Sequence, residues 1–586
     1  MLIKKHFRHY YLKYILSFLL GIAILVVIDW YQLEIPRLLK VIIDGVENLS
    51  LTSFKDIWPT VLKIIIIAVA VTVGRFLWRI LLIGTSRKIE TDIRQEMFKH
   101  ASKLDQSFYT KEKVGGLMTY FINDLSSVRE LYGFGLLMIV DGLVLGIFVL
   151  IRMFQLDYKM TLYALIPIIL MAVVVFLLNQ KMEKKFKLRQ DAFEEMSHFA
   201  QESFSGIAVI KAYVREASEA FGFKKKSFDV YQKSMDYMHY FVIVNIIIES
   251  IINVIVIAII AFGSLLIARG EMSSGELTEY VSYFFTLLWP VFAISWFLSI
   301  NGQAQASATR IYEFLETKPI IFDQEDVLKD ISLNGEITFK NLSFKYEGSD
   351  KLVLKKLNFK INAGEMVGII GRTGSGKSTI VELLLHLHNV KKGMLYFDKI
   401  DQNKIALKTL RNHLGYVPQD NFLFSETIKE NINFAFDEVD EEKTINVAKL
   451  ADVHGDINEF KEGYETILGE RGTTISGGQK QRLSIARALI KDPVILILDD
   501  AVSAVDMHTE EAIIKNLRKL RKGQTTIFIA HRISTVKNLD KIIVIDEGEI
   551  KAIGTHKELL KTSGLYKHLA NLQKLEDMIG EEISYA

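Results

Sequence analysis

Cysteine and charge are both scarce in this sequence. None of the 586 residues is cysteine, so the chain forms no disulfide, builds no zinc–thiolate site and holds no cysteine-peptidase nucleophile. A cysteine-free chain also fits a reducing compartment. Charged residues make up 24% of the chain and leave a net charge of +2, which gives no indication of a nucleic-acid partner.

Hydrophobic residues are abundant and unevenly distributed. They make up 50% of the chain, the mean hydropathy is +0.22, and they concentrate before about residue 300. This pattern predicts a membrane-embedded half followed by a soluble half. Residues 1–9 are basic and amphipathic, and no small-residue cleavage site follows them, so we expect no removable signal peptide.

Six stretches are apolar enough to cross a bilayer, which takes about 20 mostly apolar residues. They cover approximately residues 14–33, 58–83, 134–154, 160–179, 240–268 and 280–300. The segments 87–133 and 181–239 between them are long, polar and rich in Lys and Arg, so the positive-inside rule places them in the cytosol. We expect them to be helices that continue out of the membrane.

The pattern changes after the sixth stretch. Residues 302–335 have the composition of a helical linker, and from about residue 336 short β-rich runs alternate with helical ones. This alternation predicts an α/β domain with a largely parallel sheet. The expected fold is an all-α six-helix transmembrane domain over 1–301, a linker over 302–335 and an α/β P-loop domain over 336–586.

A phosphate-binding loop is the clearest motif of the second half. Residues 371–379 fit G-x-x-x-x-G-K-[ST], after an apolar strand at 366–370 and before a helical run. Glycines let backbone N–H groups surround phosphates, and the helix N-terminus favours their charge. Lys377 is expected to contact the β- and γ-phosphates of ATP, and Ser378 to ligate Mg²⁺. The predicted nucleotide contacts of the loop are Gly371, Thr373, Gly374, Ser375, Gly376, Lys377, Ser378 and Thr379.

A second strand and a glycine-rich turn complete the pattern. Residues 494–498 are apolar and end at Asp499, the position from which a carboxylate organises Mg²⁺ in P-loop enzymes. Residues 475–479 read Ile-Ser-Gly-Gly-Gln and open a helix. This run resembles the LSGGQ signature of ATP-binding cassette (ABC) ATPases, with Ile in place of Leu. Its nucleotide-binding residues are then Ser476, Gly477, Gly478 and Gln479.

The resemblance extends over essentially the whole chain and implies further roles. Tyr346 resembles the aromatic residue that stacks on adenine, although a lone strand tyrosine is more often part of the core. Gln419 resembles the Q-loop glutamine that contacts Mg²⁺, residues 503–506 the D-loop, and His531 the switch histidine. The regions 115–124 and 205–212 look like those around the coupling helices of ABC exporters.

One position departs from the family pattern. The residue after Asp499 is normally a glutamate that acts as general base or orients the attacking water, and here it is Asp500. Its side chain is one methylene shorter, and misplacement on the order of 1 Å can cost about 10²-fold in rate. The competing interpretation is an acid-for-acid change with normal turnover. We expect Asp500 to make this ATP site slow, with Asp499, Gln419 and His531 as its other catalytic residues.

The resemblance implies that two ATPase domains sandwich two ATPs, each between one P-loop and the other signature. The expected partner is a second half-transporter that carries the glutamate, in a heterodimer that exports amphipathic drugs across a bacterial cytoplasmic membrane by alternating access. Alternatives are a lipid or peptide translocator and an ATP-gated channel or regulatory sensor.

Four membrane residues are candidates for the substrate path. Asp141 and Glu249 interrupt apolar runs, where ionisable groups are costly, and Trp289 and Trp296 lie in an aromatic-rich sixth helix. The alternative is structural, with the acids pairing with Arg75 or Arg79 and the aromatic rings packing between helices.

Overall fold

The computed structural model of the chain describes residues 5–112 and 114–584, so the first four residues of the basic N-terminal segment lie outside it. The chain divides into two compact units. The first comprises the described parts of Met1–Ser102 and Val114–Thr317, and the second those of Lys103–Lys113 and Lys318–Ala586.

The first unit is built from helices. The α-helices up to residue 317 are α1 (His9–Lys13), α2 (Ile15–Gln32), α3 (Glu34–Glu47), α4 (Phe54–Ala101), α5 (Gln106–Lys111), α6 (Val114–Thr119), α7 (Leu125–Glu130), α8 (Leu136–Leu156), α9 (Tyr158–Ser205), α10 (Ile207–Ala212), α11 (Glu216–Ala268) and α12 (Ser274–Glu316). Of these, α5 belongs to the second unit. Two π-helical turns, Tyr120–Asp124 and Leu131–Gly135, join α6, α7 and α8 into one continuous rod.

Among the described residues, five helical segments are long and apolar enough to cross a membrane, and some of them join consecutive helices. They are Ile15–Glu47, Phe54–Ala101, Gly115–Leu156, Glu216–Ala268 and Ser274–Glu316. The fourth predicted span corresponds to the shorter apolar run Tyr158–Leu170, which opens α9. The all-helical membrane domain and its long extensions are therefore confirmed.

Polar caps fix where several long helices begin. Ser53 and Asp56 form a capping box at the start of α4, and Ser273 and Glu276 form one at the start of α12. The side chain of Asp157 accepts from the backbone N–H of Met160 at 2.6 Å and caps α9. Each cap satisfies backbone donors that have no partner within the helix.

The cytosolic end of α12 is held to the first π-helical turn by a partly buried ion pair. The Arg310 guanidinium donates to the Asp124 carboxylate, with its Nε 3.0 Å from Oδ2, and the Ser307 hydroxyl donates to the same group at 2.8 Å. Asp124 is only 3% exposed, whereas the Arg310 side chain is half exposed, so the contact lies at the edge of the packed interior.

The second unit contains two sheets. Their strands are β1 (Ile337–Phe344), β2 (Leu354–Ile361), β3 (Met366–Gly371), β4 (Leu395–Phe397), β5 (Ile400–Asp401), β6 (Leu414–Val417), β7 (Ile495–Asp499), β8 (Thr525–Ala530), β9 (Lys541–Asp546) and β10 (Glu549–Gly554). The smaller sheet has the order β2-β1-β4-β5 and is antiparallel. The larger has the order β10-β9-β3-β8-β7-β6 and is parallel except for β10.

The second unit also contains α-helices, several of which pack on the larger sheet. They are α13 (Lys377–Leu384), α14 (Leu407–His413), α15 (Ile428–Ile432), α16 (Glu441–Leu450), α17 (His454–Glu459), α18 (Gly477–Leu489), α19 (Met507–Leu520), α20 (Ile533–Val536), α21 (His556–Thr562) and α22 (Gly564–Ser584). Strands β3, β7 and β8 are buried along their whole length, because a parallel sheet covered on both faces has no solvent side. The predicted α/β domain is confirmed.

Candidate nucleotide-binding site

The predicted site residues meet at one edge of the parallel sheet. Strands β3, β8, β7 and β6 lie side by side in the same direction, so their carboxyl ends open on a common crevice. The phosphate loop follows β3, His531 follows β8, Asp499 ends β7, and Gln419 lies two residues beyond β6. In a parallel sheet of this kind the ligand site lies outside the carboxyl ends of the strands.

The phosphate loop has the backbone that its glycines permit. Gly374 and Gly376 adopt φ of +79° and +98°, in the left-handed region that favours glycine. Gly371 is fixed by crowding, because a Cβ there would lie 1.9 Å from the carbonyl oxygen of Ile545. Lys377 opens α13, and its ammonium donates to the carbonyl oxygens of Gly371 and Arg372 at 2.9 and 3.0 Å.

Two buried groups of the loop fit a phosphate ligand. The Ser375 hydroxyl is buried without a hydrogen-bond partner among the described residues. The Lys377 side chain is also buried, and this burial lowers the pKa of its ammonium, against the opposing charges of Asp499 and Asp500. An unsatisfied hydroxyl and a buried cation at a helix N-terminus together form a binding site for phosphate oxygens.

Asp499 and Ser378 lie together beside the loop. The two side chains are hydrogen-bonded, and burial raises the pKa of the Asp499 carboxyl to about 6, with the nearby Asp500 carboxylate adding to the rise. Carboxylate and hydroxyl oxygens are ligands that Mg²⁺ prefers. The pair therefore has the chemistry of a magnesium site, and a bound dication there would favour the ionised carboxylate.

The backbone of Asp500 is held in an unusual conformation. Its φ is +50°, which is uncommon for a residue other than glycine, and its N–H donates to the carbonyl of Ile529 at 2.9 Å. Burial and the nearby Lys377 charge lower the pKa of His531, and the Asp500 carboxylate opposes this shift. The crevice thus combines two carboxyl groups, an ammonium and an imidazole.

The signature turn caps its helix. Ser476 and Gln479 form a capping box at the start of α18, and Ser476 is exposed. A Cβ on Gly478 would lie 3.0 Å from the carbonyl oxygen of Ala504, so this position requires a small residue against the D-loop.

Gln481, which was not singled out from the sequence, links three parts of the site. Its side-chain amide donates to the Asp500 carbonyl and the Ser503 hydroxyl, both at 3.2 Å, and accepts from the N–H of Ala504 at 2.9 Å. It is 4% exposed. No motif marks this residue in the sequence, and it lies two positions after the signature.

Tyr346 lies against the start of α13. Its hydroxyl is 2.9 Å from the Thr379 hydroxyl and donates to Glu382 at 2.7 Å. Burial and the Glu382 carboxylate raise the pKa of Tyr346 to about 12. A cavity of about 480 Å³ opens beside the ring, while the Gln419 side chain is exposed.

The predicted path residues divide into two groups in the first unit. The Trp289 indole N–H donates to the Asp141 carboxylate, and Trp296 packs edge-on against Trp289 with ring centres 6.1 Å apart. Glu249 lies at an exposed position of α11 and does not line the cavity that contains Asp141 and Trp289. The structure therefore brings three of the four residues together.

A helical membrane unit joined to such an ATPase unit is the arrangement of an ABC transporter, and comparison with known sequences agrees. The ABC transporter transmembrane region matches residues 18–291, and the ABC transporter ATPase family matches residues 354–503. The chain belongs to the ABC transporter family. It is a multi-pass protein of the cytoplasmic membrane with a cytosolic ATPase domain, which couples ATP hydrolysis to transport.

Its relatives are half-transporters of the same length. The chain is 35% identical over 570 residues to the probable multidrug resistance ABC transporter ATP-binding/permease protein YheI of Bacillus subtilis, covering 97% of this chain and 96% of the relative. It is 35% identical over 557 residues to the multidrug resistance-like ATP-binding protein MdlA of Escherichia coli, covering 95% and 94%. A solved bacterial Atm1-family ABC exporter with ATP bound shares the fold, with a TM-score of 0.77 at 24% identity over 97% of this chain and 98% of that one.

Proposed function

We propose that the chain exports amphipathic small molecules as the slow-site half of a heterodimeric ABC exporter. The observation that carries this proposal is Asp500, which stands where the family has glutamate. Its N–H is bonded to Ile529 and its carbonyl accepts from Gln481 and Ser503, so the main chain is held from both sides. A fixed main chain cannot move forward to make up for the missing methylene.

The number of motifs in one chain determines how two chains share the ATP sites. One chain supplies one phosphate loop and one signature, so each complete site needs residues from two chains. In a homodimer both sites would contain Asp500 and both would be slow. In the proposed heterodimer, the exposed Ser476 and the glycines of this signature complete the partner's efficient site.

At the ATP site that contains the phosphate loop of this chain, the residues bind ATP but hydrolyse it slowly. Lys377, Ser375 and the loop N–H groups bind phosphate oxygens, and Tyr346 borders the base. Ser378, Asp499 and Gln419 are proposed to hold Mg²⁺, which when bound neutralises phosphate charge. His531 lies beside Asp500, where it can orient the γ-phosphate end of the nucleotide.

Drug export is proposed from the names of the relatives, which describe multidrug resistance proteins. The test is dye uptake into inside-out vesicles that contain the complex purified with its native partner. We expect ATP to drive accumulation above the outside concentration, and Lys377→Ala to weaken ATP binding at this subunit's site. A channel would only equilibrate the dye, and a lipid or peptide translocator would leave it outside.

A further inference from the structure

A cavity of about 750 Å³ lies inside the membrane unit. Residues from α2, α4, α8 and α12 line it, so four different helices of this one chain contribute to its wall. Its charged lining consists of two acids and two arginines: Asp29, Asp141, Arg75 and Arg79. Aromatic rings complete the wall, namely Trp78, Phe134, Phe285 and Trp289.

The cavity lies deep in the membrane. Asp141 is 15 residues before the outer end of α8, and Trp289 is 15 residues after the outer start of α12. At 1.5 Å per residue, each of these two residues lies roughly 22 Å from the outer end of its own helix. The hydrocarbon core of a bilayer is about 30 Å thick, so charged groups at this depth are expensive and mark functional positions.

Asp29 is the least satisfied of these groups. It is 3% exposed, and its Oδ2 has no hydrogen-bond partner among the described residues. The Asp141 side chain is its direct neighbour, and the two acids are close enough to share a hydrogen bond, which requires one proton between them. A buried oxygen without a partner is costly, and two adjacent acids are both ionised only when a cation offsets their repulsion, so a cation bound there would take the place of the shared proton.

Neither arginine of the cavity supplies the cation between Asp29 and Asp141. Arg75 donates to the side-chain oxygen of Gln32 at 2.7 Å, and the Arg79 guanidinium lies 5.4 Å from the centre of the Trp78 ring. Both arginine side chains are exposed, in contrast to Asp29. Arg75 lies near enough to attract the carboxylates, but the free Oδ2 shows that it does not satisfy Asp29.

We propose that this cavity binds the positively charged group of an aromatic organic cation between Asp29 and Asp141. The proposal rests on the export function proposed above and specifies its substrate class. The carboxylates supply the counter-charge, and Trp289, which donates to Asp141, presents a ring within reach of the same group. Aromatic rings attract cations strongly where water is excluded.

Binding of tetraphenylphosphonium to the complex in lipid nanodiscs tests the site without ATP. This probe is aromatic and permanently charged, and triphenylphosphine oxide is its neutral counterpart. We expect Asp29→Asn and Asp141→Asn each to weaken phosphonium binding about tenfold or more, through loss of a charge-assisted contact. Binding of the neutral probe should stay within about twofold in both variants.

Two further variants make the test specific. Glu249→Gln is the matched control, because it removes an intramembrane acid outside the cavity, and phosphonium binding should not change. Arg75→Gln should tighten phosphonium binding, because it leaves the cavity with more negative charge. If Asp29→Asn fails to assemble, Asp141→Asn carries the test, since Asp141 is only partly buried.

The outcomes separate this proposal from the export function. Unchanged phosphonium binding in an assembled Asp141→Asn complex, or equal loss of both probes, would return the acids to a structural role. Tighter phosphonium binding on loss of the acids, with weaker binding of an organic anion on loss of Arg75, would indicate an anion site instead. A complex that binds the cation normally but never accumulates it with ATP contradicts the export function alone.

Discussion

At the scale of single residues, His386 shows how burial alone sets a pH dependence. Burial lowers its pKa from 6.5 to about 4, and the nearby Arg411 charge acts in the same direction. The folded domain therefore favours the neutral imidazole. The stabilising contribution is complete above about pH 6.5 and is lost as the pH falls from there towards about 4, because the unfolded chain takes up the proton first.

His386→Asn should remove this dependence. Asparagine tolerates the positive φ of 51° at this position, so backbone strain is not added. We expect the loss of stability between pH 7.5 and 5.5 to be smaller in the variant by about 1.4 kcal/mol, one pKa unit of proton uptake. The measurement is the thermal unfolding midpoint of both proteins at the two pH values. Parallel shifts in both would show that His386 does not titrate in this range.

Sequence patterns identify residues that belong to motifs. They do not identify residues whose role depends on a tertiary contact. The phosphate loop, Asp499 and His531 follow strands in a recognisable order, and the sheet brings them to one edge. Gln481 carries no signal of its own, because its role depends on where the D-loop passes. Asp29 met the same criterion as Asp141, an acid within an apolar run, and only its burial beside Asp141 separates it from Glu249.

At the scale of elements, the Asp124–Arg310 pair holds the end of α12 to a π-helical turn. Asp124→Ala leaves the Ser307 and Arg310 donors without their acceptor. We expect a loss on the order of 2 kcal/mol, below the 3–5 kcal/mol of a fully buried pair because Arg310 is half exposed. Thermal unfolding in nanodiscs measures it.

Glu130→Gln is the control, because Glu130 is exposed and its contact with Arg129 is 3.4 Å long. It should change stability by no more than a few tenths of a kcal/mol. Equal effects of the two substitutions would mean that the partly buried pair is no more important than a surface one.

Gln481 joins α18 to the loop after β7. Gln481→Leu removes its three hydrogen bonds while keeping a similar volume. We expect ATP turnover by the heterodimer to fall about tenfold, because α18 carries the signature that completes the partner's efficient site, where misplacement on the order of 1 Å is costly, with ATP affinity little changed. Steady-state hydrolysis and equilibrium ATP binding distinguish these effects, and a matching loss of affinity would point to general disruption instead.

Helix identity and length were largely predictable, because apolar runs of about 20 residues leave few alternatives. The interruptions of these helices were not predicted from the sequence. The two π-helical turns within the third span have no clear sequence signal, and the short helix α5 precedes the region 115–124 that resembled a coupling segment. The π-helical turns pack against α12 and α4, whereas α5 has a local signal, since the side chain of Asp105 accepts from the backbone N–H groups of Ser107 and Phe108.

At the scale of the whole molecule, the two signatures of the proposed heterodimer serve ATP sites with different hydrolysis rates. The signature of this chain acts on the partner's site, so Ser476→Ala should slow total ATP hydrolysis even though the site of this chain is already slow. The removed hydroxyl is exposed, so the fold should not suffer. An unchanged rate would mean that this signature does not serve the efficient site.

The most direct test of the account is the ATPase rate of the heterodimer with position 500 varied. Asp500→Asn should leave the rate within about twofold, because this site contributes little turnover, whereas removing the partner's corresponding glutamate should nearly abolish it. Asp500→Glu should raise the rate, since it restores the missing methylene on a fixed main chain. A large loss with Asp500→Asn, equal to that from the partner's glutamate, would contradict the proposed slow site.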